Sequence, residues 1–364
     1  MEKGTYYLIV YIGFFITTFL FSFLINGLFL KFSRTLGIRS NESRDIRWSS
    51  TTKPAFGGIS FYIIFLLSVA SHAIFFQSNA FLDLQLIGVL TACTLGFIVG
   101  LADDAYNTKP FLKFFAQVTC SAILIVTGTY INFFPWDWVN YLLTAFWVIG
   151  LMNSINMLDN MDGITTSVSI SVVLSAIFML ITNSDYSNIH LIILIGVLSA
   201  LLGFLYFNWN PSKMYMGDTG SQFLGVFLAA LGIIYFWNVY AVDGDIATNP
   251  KIQTKQLIIP LLVFIIPIID TTTVVINRLM KGQSPFVGGK DHTTHHVSYL
   301  GFSDSQVAWI YFDLSLFSLL LLIIIEKYIL HWGYMHFLIF FTYFLVLFTA
   351  LYSTTRINRK KEQN

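Results

Sequence analysis

Residues 6–30 read YYLIVYIGFFITTFLFSFLINGLFL, a run without a single charged side chain. The hydrocarbon core of a bilayer asks for about 20 apolar residues in an α-helix, and this run is long enough to cross one. Lys3 is the lone basic residue before it, it is too long for a signal-peptide core, and it lacks a small-residue cleavage pattern. It reads as a retained transmembrane helix, and it predicts a chain whose main solvent is lipid.

The remainder of the 364 residues supports that reading, with 56% hydrophobic and only 11% charged residues and a mean hydropathy of +0.71. Such values lie outside the range of soluble domains. Apolar stretches of spanning length centre near Phe19, Ile64, Gly96, Leu124, Phe146, Leu174, Leu198, Ala229, Phe264, Leu320 and Phe341. The expected fold is therefore all-α: one polytopic, membrane-embedded domain over residues 1–364 with about 11 transmembrane helices. A net charge of +1 argues against nucleic acid as a partner. Cys93 and Cys120 both sit inside apolar runs and read as small buried hydrophobes.

Lys and Arg accumulate in cytoplasmic loops, and here they follow alternate connections. Lys31, Arg34, Arg39, Arg44, Arg47 and Lys53 come after the first span, Lys109 and Lys113 after the third, and Lys213 after the seventh. Arg278, Lys281 and Lys290 follow the ninth, and Arg356, Arg359, Lys360 and Lys361 form the tail. The other side holds Lys3, Lys251, Lys255 and Lys327. This bias predicts an N-terminus outside and a cytoplasmic C-terminus. It also places four polar clusters on the cytoplasmic face: GLADDAYN (100–107), NSINMLDNMDG (153–163), NWNPSKMYMGDTGS (208–221) and GGKDHTTHH (288–296). The active site is expected in loops near 31–55, 102–113, 153–165, 208–221 and 278–306. The long outer stretch VDGDIATNPKIQTKQ (242–256), which carries Asp243, has no comparable convergence.

Each cluster has a chemical and a plain structural reading. Asp103 and Asp104 are adjacent carboxylates, which resist joint ionisation unless a cation or protonated partner relieves them; a solvated helix end is the alternative. Asn153 and Asn156, and then Asp159 and Asp162, are three apart and share a face while the helix lasts. Oxygen donors on one face at a water boundary suit a hard divalent cation, and magnesium fits better than calcium because it keeps waters and takes few protein ligands. Capping of a helix end accounts for the same residues. Asp218 lies between glycines ahead of an apolar run, either as part of a cap or as a metal ligand beside N–H groups that hold a phosphate. His292, His295 and His296, beside Lys290 and Asp291, suit anion binding or proton handling better than zinc, because no further ligand completes a zinc site. Intramembrane Asp270 is expected to serve helix packing or to position the loop after it.

Taken in order, KPAFGG (53–58), GLADD (100–104), NSINMLDNMDG, MGDTGS (216–221), PIIDTTTVVINR (267–278) and the histidine loop resemble the polyprenyl-phosphate N-acetylhexosamine-1-phosphate transferase family. The resemblance spans nearly the whole chain. It implies transfer of a sugar-1-phosphate, by lean N-acetylglucosamine-1-phosphate, from a UDP-sugar to undecaprenyl phosphate, with release of UMP, at the start of cell-surface polysaccharide synthesis. Another UDP-N-acetylhexosamine or UDP-MurNAc-pentapeptide is the alternative donor. It further implies Asp218 as chief magnesium ligand, with manganese as a substitute, and Asn156 as a second contact. Asp103 and Asp104 become the acidic pair, with Asp103 at the lipid phosphate. Asp159, Asp162, Asn153 and Lys53 fall at the substrate, and His292, His295 and His296 at the pyrophosphate. The implied setting is the bacterial inner membrane, with a homodimer as a further expectation.

Two features depart from the family pattern. Thr293 and Thr294 separate His292 from the other histidines where one residue is usual, and Arg47 stands where a histidine is common. The stretch THHVSYLGFSDSQV favours the N-acetylglucosamine branch, since the peptidoglycan branch has an acid soon after its histidines. A secondary transporter would put its polar groups near the midplane, which these clusters avoid.

Overall fold

The computed structural model describes residues 3–32, 53–76, 83–182, 189–240, 249–284 and 289–362. Most of the first basic loop, with Arg34, Arg39, Arg44 and Arg47, lies outside the described residues, as do Gly288 and the outer segment that holds Asp243. The helices run in the order α1 (Lys3–Phe32), α2 (Gly57–Phe76), α3 (Leu84–Tyr106), α4 (Pro110–Val126), α5 (Asp137–Leu158), α6 (Ile164–Thr182) and α7 (Ile189–Asn208). They continue as α8 (Gly217–Leu231), α9 (Pro250–Val263), α10 (Ile265–Met280), the short α11 (Thr293–Tyr299), α12 (Asp304–Lys327) and α13 (Tyr334–Glu362).

Among the described residues nine helices are long and apolar enough to cross a membrane, and ten if α9 and α10 together form one span. The chain is thus a multi-pass membrane protein. The expectation of about 11 spans differs in two places. α4 has 17 residues and falls short of the usual length. The ninth candidate breaks at its centre, where α9 and α10 meet at 79°. Pro267 explains the break, because it cannot donate to the carbonyl four residues back and its ring crowds that carbonyl. Phe264 accordingly leaves helical geometry at φ −100°, ψ 25°.

α8 forms the axis of the bundle. Every residue from Thr219 to Leu231 is buried, and from Phe223 onward the helix is apolar on all sides, as a buried helix should be. It packs on α2, α3 and α5, and glycines bring α3 in closely: a Cβ on Gly100 would lie 2.2 Å from the Asp218 carbonyl oxygen. This contact holds the ends of α3 and α8 together, and so holds Asp103 and Asp104 beside Asp218. α6, rich in Ser and Thr, still spans because several of its hydroxyls find partners: Ser167 and Ser175 bond the carbonyls four residues back at 2.7 and 2.9 Å, and Thr166 bonds Asn208 at 2.7 Å. Such pairing removes the cost of leaving polar groups in lipid.

Candidate active site

The polar clusters converge on one cavity of about 1360 Å³. At one end Asp218, in the first turn of α8, faces α4 and α5. The Asn156 amide donates to its Oδ1 at 2.8 Å and to Ser221 Oγ at 2.8 Å. Lys113, near the start of α4, places Nζ 2.5 Å from Asp218 Oδ2 and 2.5 Å from Asp103 Oδ2. One ammonium thus bridges two carboxylates that would otherwise repel each other.

Asp103 and Asp104 have separate tasks. Asp103 is buried, and its Oδ1 accepts the N–H and hydroxyl of Thr108 at 2.9 and 2.5 Å, which fastens the turn from α3 into α4. Asp104 points the other way: its Oδ1 accepts the Asp218 N–H at 2.9 Å, and its Oδ2 accepts the Thr219 N–H and hydroxyl at 2.8 and 2.6 Å. It therefore caps α8, where a carboxylate also complements the helix dipole. Gly217, at φ +73°, allows this approach, because a Cβ there would sit 2.6 Å from Asp104 Oδ2. The geometry makes Asp104 a positioning residue for Asp218.

A second group forms where KPAFGG lies along residues 213–217, with Tyr215 N–H on the Pro54 carbonyl at 2.9 Å and Gly58 N–H on that of Met216 at 3.0 Å. This pairing carries Lys53 to Ser212 Oγ at 2.8 Å and Asp162 Oδ2 at 3.4 Å, with its Nζ 5.1 Å from the centre of the Tyr215 ring. Asp162 also accepts the Ser212 N–H and hydroxyl at 2.9 and 2.7 Å. Asp159, at the end of α5, lines the same cavity.

The third group depends on the α9–α10 break. Fully buried Asp270 holds His292 Nδ1 at 2.8 Å with Oδ2, and the Thr293 N–H and hydroxyl at 2.8 and 2.6 Å with Oδ1. Of the two tasks expected of Asp270, helix packing and positioning of the following loop, these bonds serve the second. Arg278 pairs with Asp291 through two bonds of 2.8 and 2.7 Å. Burial pushes the Asp291 carboxyl up, but the guanidinium outweighs it and holds the group below its ordinary range. His292 and His295 line the cavity. His296 does not: it lies edge-on to Tyr299 with ring centres 5.5 Å apart. The extra threonine that set His292 apart in sequence is Thr293 or Thr294, and both begin the short helix that carries His295.

A model of the glycosyl transferase family 4 matches residues 86–236. A phospho-N-acetylmuramoyl-pentapeptide-transferase of Staphylococcus carnosus (strain TM300) is 31% identical over 63% of this chain and 76% of its own length. The chain belongs to glycosyl transferase family 4. A probable undecaprenyl-phosphate N-acetylglucosaminyl 1-phosphate transferase of Bacillus subtilis (strain 168) is 28% identical over 69% of this chain and 67% of its own. The Staphylococcus aureus (strain Newman) phospho-N-acetylmuramoyl-pentapeptide-transferase is 27% identical over 79% and 89%. This family 4 member is therefore a phospho-sugar transferase enzyme.

Two residues of the site escaped sequence reasoning. Both Lys113 and Arg278 counted there as loop charges. Their signal was the helical spacing Lys113 to Gln117 and the charge complement of Asp291, both weak before the fold is known. His295 also gains a property from its surroundings: burial first, and the neighbouring His292 second, push its pKa down from 6.5 to about 4. The unfolded chain then binds the proton more tightly, so this histidine's contribution to stability is lost as pH falls from about 6.5 towards 4. Thermal unfolding of a His295→Gln variant should show a shallower decline over that window than the wild type, and equal slopes would refute the assignment.

Proposed function

We propose that the enzyme transfers N-acetylglucosamine-1-phosphate from UDP-N-acetylglucosamine to undecaprenyl phosphate, releasing UMP, at the cytoplasmic face of a bacterial inner membrane. The observation that carries this reading is the convergence of the Lys113-bridged Asp103 and Asp218, the Lys53–Asp162 pair and the Asp270–His292 pair on one cavity. Support for the orientation comes from the alternation of basic residues along the sequence, of which Lys53, Lys113 and Arg278 line the cavity. The cavity wall also includes Phe114 and the 82% exposed Phe146, apolar surface suited to a prenyl chain entering from lipid. The N-acetylglucosamine branch is favoured because Val297, Ser298 and Tyr299 follow the histidines and the first acid is Asp304.

Magnesium suits the donor set at the first end. Two carboxylates already converge on a single cation, the Lys113 ammonium, with the Asn156 amide beside them. Asp218 and Asn156 would hold the ion, with Asp103 close by; bound there it would neutralise phosphate charge. The chain's own groups do the rest. A phosphate monoester has a second pKa of about 6, so the lipid phosphate arrives largely ionised and needs little from a base. Its oxygen attacks the sugar-bearing phosphorus, the bond to the bridging oxygen of UMP breaks, and UMP leaves with that electron pair. Lys113, Arg278 and His292 offer positive or donor groups around the spread charge, and alignment supplies most of the acceleration. Asp103 keeps Lys113 in place and takes any residual proton.

Purified protein supplied with undecaprenyl phosphate, Mg2+ and a panel of UDP-sugars should release UMP, fastest with UDP-N-acetylglucosamine. No release with any sugar would overturn the proposal. A phosphoaspartyl species trapped in a single turnover would overturn direct attack. Lys53→Ala should raise the KM for the UDP-sugar about tenfold and leave kcat nearly unchanged, as expected for a contact made equally in ground and transition states; a kcat effect alone would place Lys53 elsewhere in the reaction.

A further inference from the structure

One turn deeper than the charged end of the cavity lies a layer of amides. On α4 Gln117 follows Lys113 by four residues, on α8 Gln222 follows Asp218 by four, and on α5 Asn153 precedes Asn156 by three. Each helix therefore contributes one group to the site and one amide a turn, about 5.4 Å, below it. The amides meet one another: Asn153 Nδ2 donates to Gln117 Oε1 at 2.8 Å, Gln117 Nε2 donates back to Asn153 Oδ1 at 3.2 Å, and to Gln222 Oε1 at 3.4 Å. Gln117 and Gln222 are 2% and 1% exposed.

Burying amides among apolar helices costs free energy unless they are paired, and apolar packing alone would fill this space. What the amides add is direction. Apolar ridges tolerate sliding and rotation, whereas a reciprocal amide pair has one height and one angle. That constraint matters here because Lys113 must meet carboxylates on two other helices, and a misplacement of about 1 Å can cost about 10²-fold in rate.

We propose that Gln117, Asn153 and Gln222 form a positioning layer that fixes α4 against α5 and α8, and so sets Lys113, Asn156 and Asp218 for phosphate transfer. The inference rests on the transferase reading above. Gln117 and Asn153 also border the cavity, but their amides are turned to each other; none of the three reacts, and they act through the groups one turn above.

The test compares Gln117→Leu, Gln222→Leu and an exchanged pair, Gln117→Asn with Asn153→Gln, which keeps the summed length of the two amides. Mn2+ affinity is read by electron paramagnetic resonance on nucleotide-free, detergent-solubilised protein, beside kcat, KM and thermal unfolding. Both leucine variants should stay folded, lose about tenfold in kcat and in Mn2+ affinity, as outer partners of a metal site do, and keep the KM for the UDP-sugar. The exchanged pair should recover most of both losses. Folded leucine variants with wild-type kcat and Mn2+ affinity would overturn the proposal. So would an exchanged pair that folds yet stays as impaired as Gln222→Leu, and this comparison decides the matter if Gln117→Leu does not fold. A wild type that binds Mn2+ but releases no UMP from any UDP-sugar would overturn the transferase reading instead, while the affinity comparison still judges the layer.

Discussion

Asp218→Ala is expected to lower UMP release about 10³-fold while the protein unfolds at nearly the wild-type temperature. The rate effect corresponds to about 4 kcal/mol, the scale of losing a group that places cationic charge at transferring phosphate. Stability should hardly change, because the Asp218 side chain is 28% exposed at the cavity, Lys113 retains Asp103 as partner at 2.5 Å, and water can reach the vacated space. The cap of α8 survives as well, since Asp104 bonds the backbone of residue 218 and not its side chain. Asp137→Asn, at the opposite end of α5, should leave turnover unchanged. Equal losses at both positions would mean that the effect is one of stability and not of catalysis.

Asp270→Ala should show the opposite balance, with large losses in both stability and rate. This carboxylate is 1% exposed, and it satisfies the Thr293 N–H, the Thr293 hydroxyl and His292 Nδ1 together. Its removal strands buried donors at about 1–3 kcal/mol each, for a total on the order of 3 kcal/mol after relaxation. His292 also loses the partner that fixes its ring, which should cost about 10²-fold in kcat. Asp270→Asn keeps an oxygen for the Thr293 N–H and should recover much of the stability, but less of the rate, because its amide group cannot serve the histidine as a carboxylate does. Equal recovery of stability and rate would show that Asp270 acts on the fold alone.

The two predictions differ because the two aspartates were legible to different degrees. Asp218 stood out in the sequence, flanked by glycines ahead of an apolar run, and the structure leaves it open to the cavity with the Asn156 amide 2.8 Å from its Oδ1. Asp270 stood out only as a charge at membrane depth. Its three bonds depend on the break at Phe264 and on a histidine 22 residues further on, so neither the partner nor the task could be read locally. His296 shows the reverse. A cluster of histidines drew attention to all three, yet successive residues of a helix point about 100° apart, and once residues 293–299 form one, His296 faces Tyr299 while His295 faces the cavity.

What the sequence determined by itself was the membrane architecture, the order of the polar clusters and their gathering at one face. These follow from properties that act locally or along the chain, namely the length of apolar runs against the thickness of a bilayer and the distribution of basic residues among loops. Tertiary structure alone decided which of those polar groups touch. Lys113 reaches Asp218 across 105 positions of sequence and Lys53 reaches Asp162 across 109. Such contacts depend on the close approach of α3 to the start of α8, which Gly100 and Gly217 permit, and on the angle at the break before Pro267. Neither quantity is encoded in any single segment, because each arises only when the segments pack.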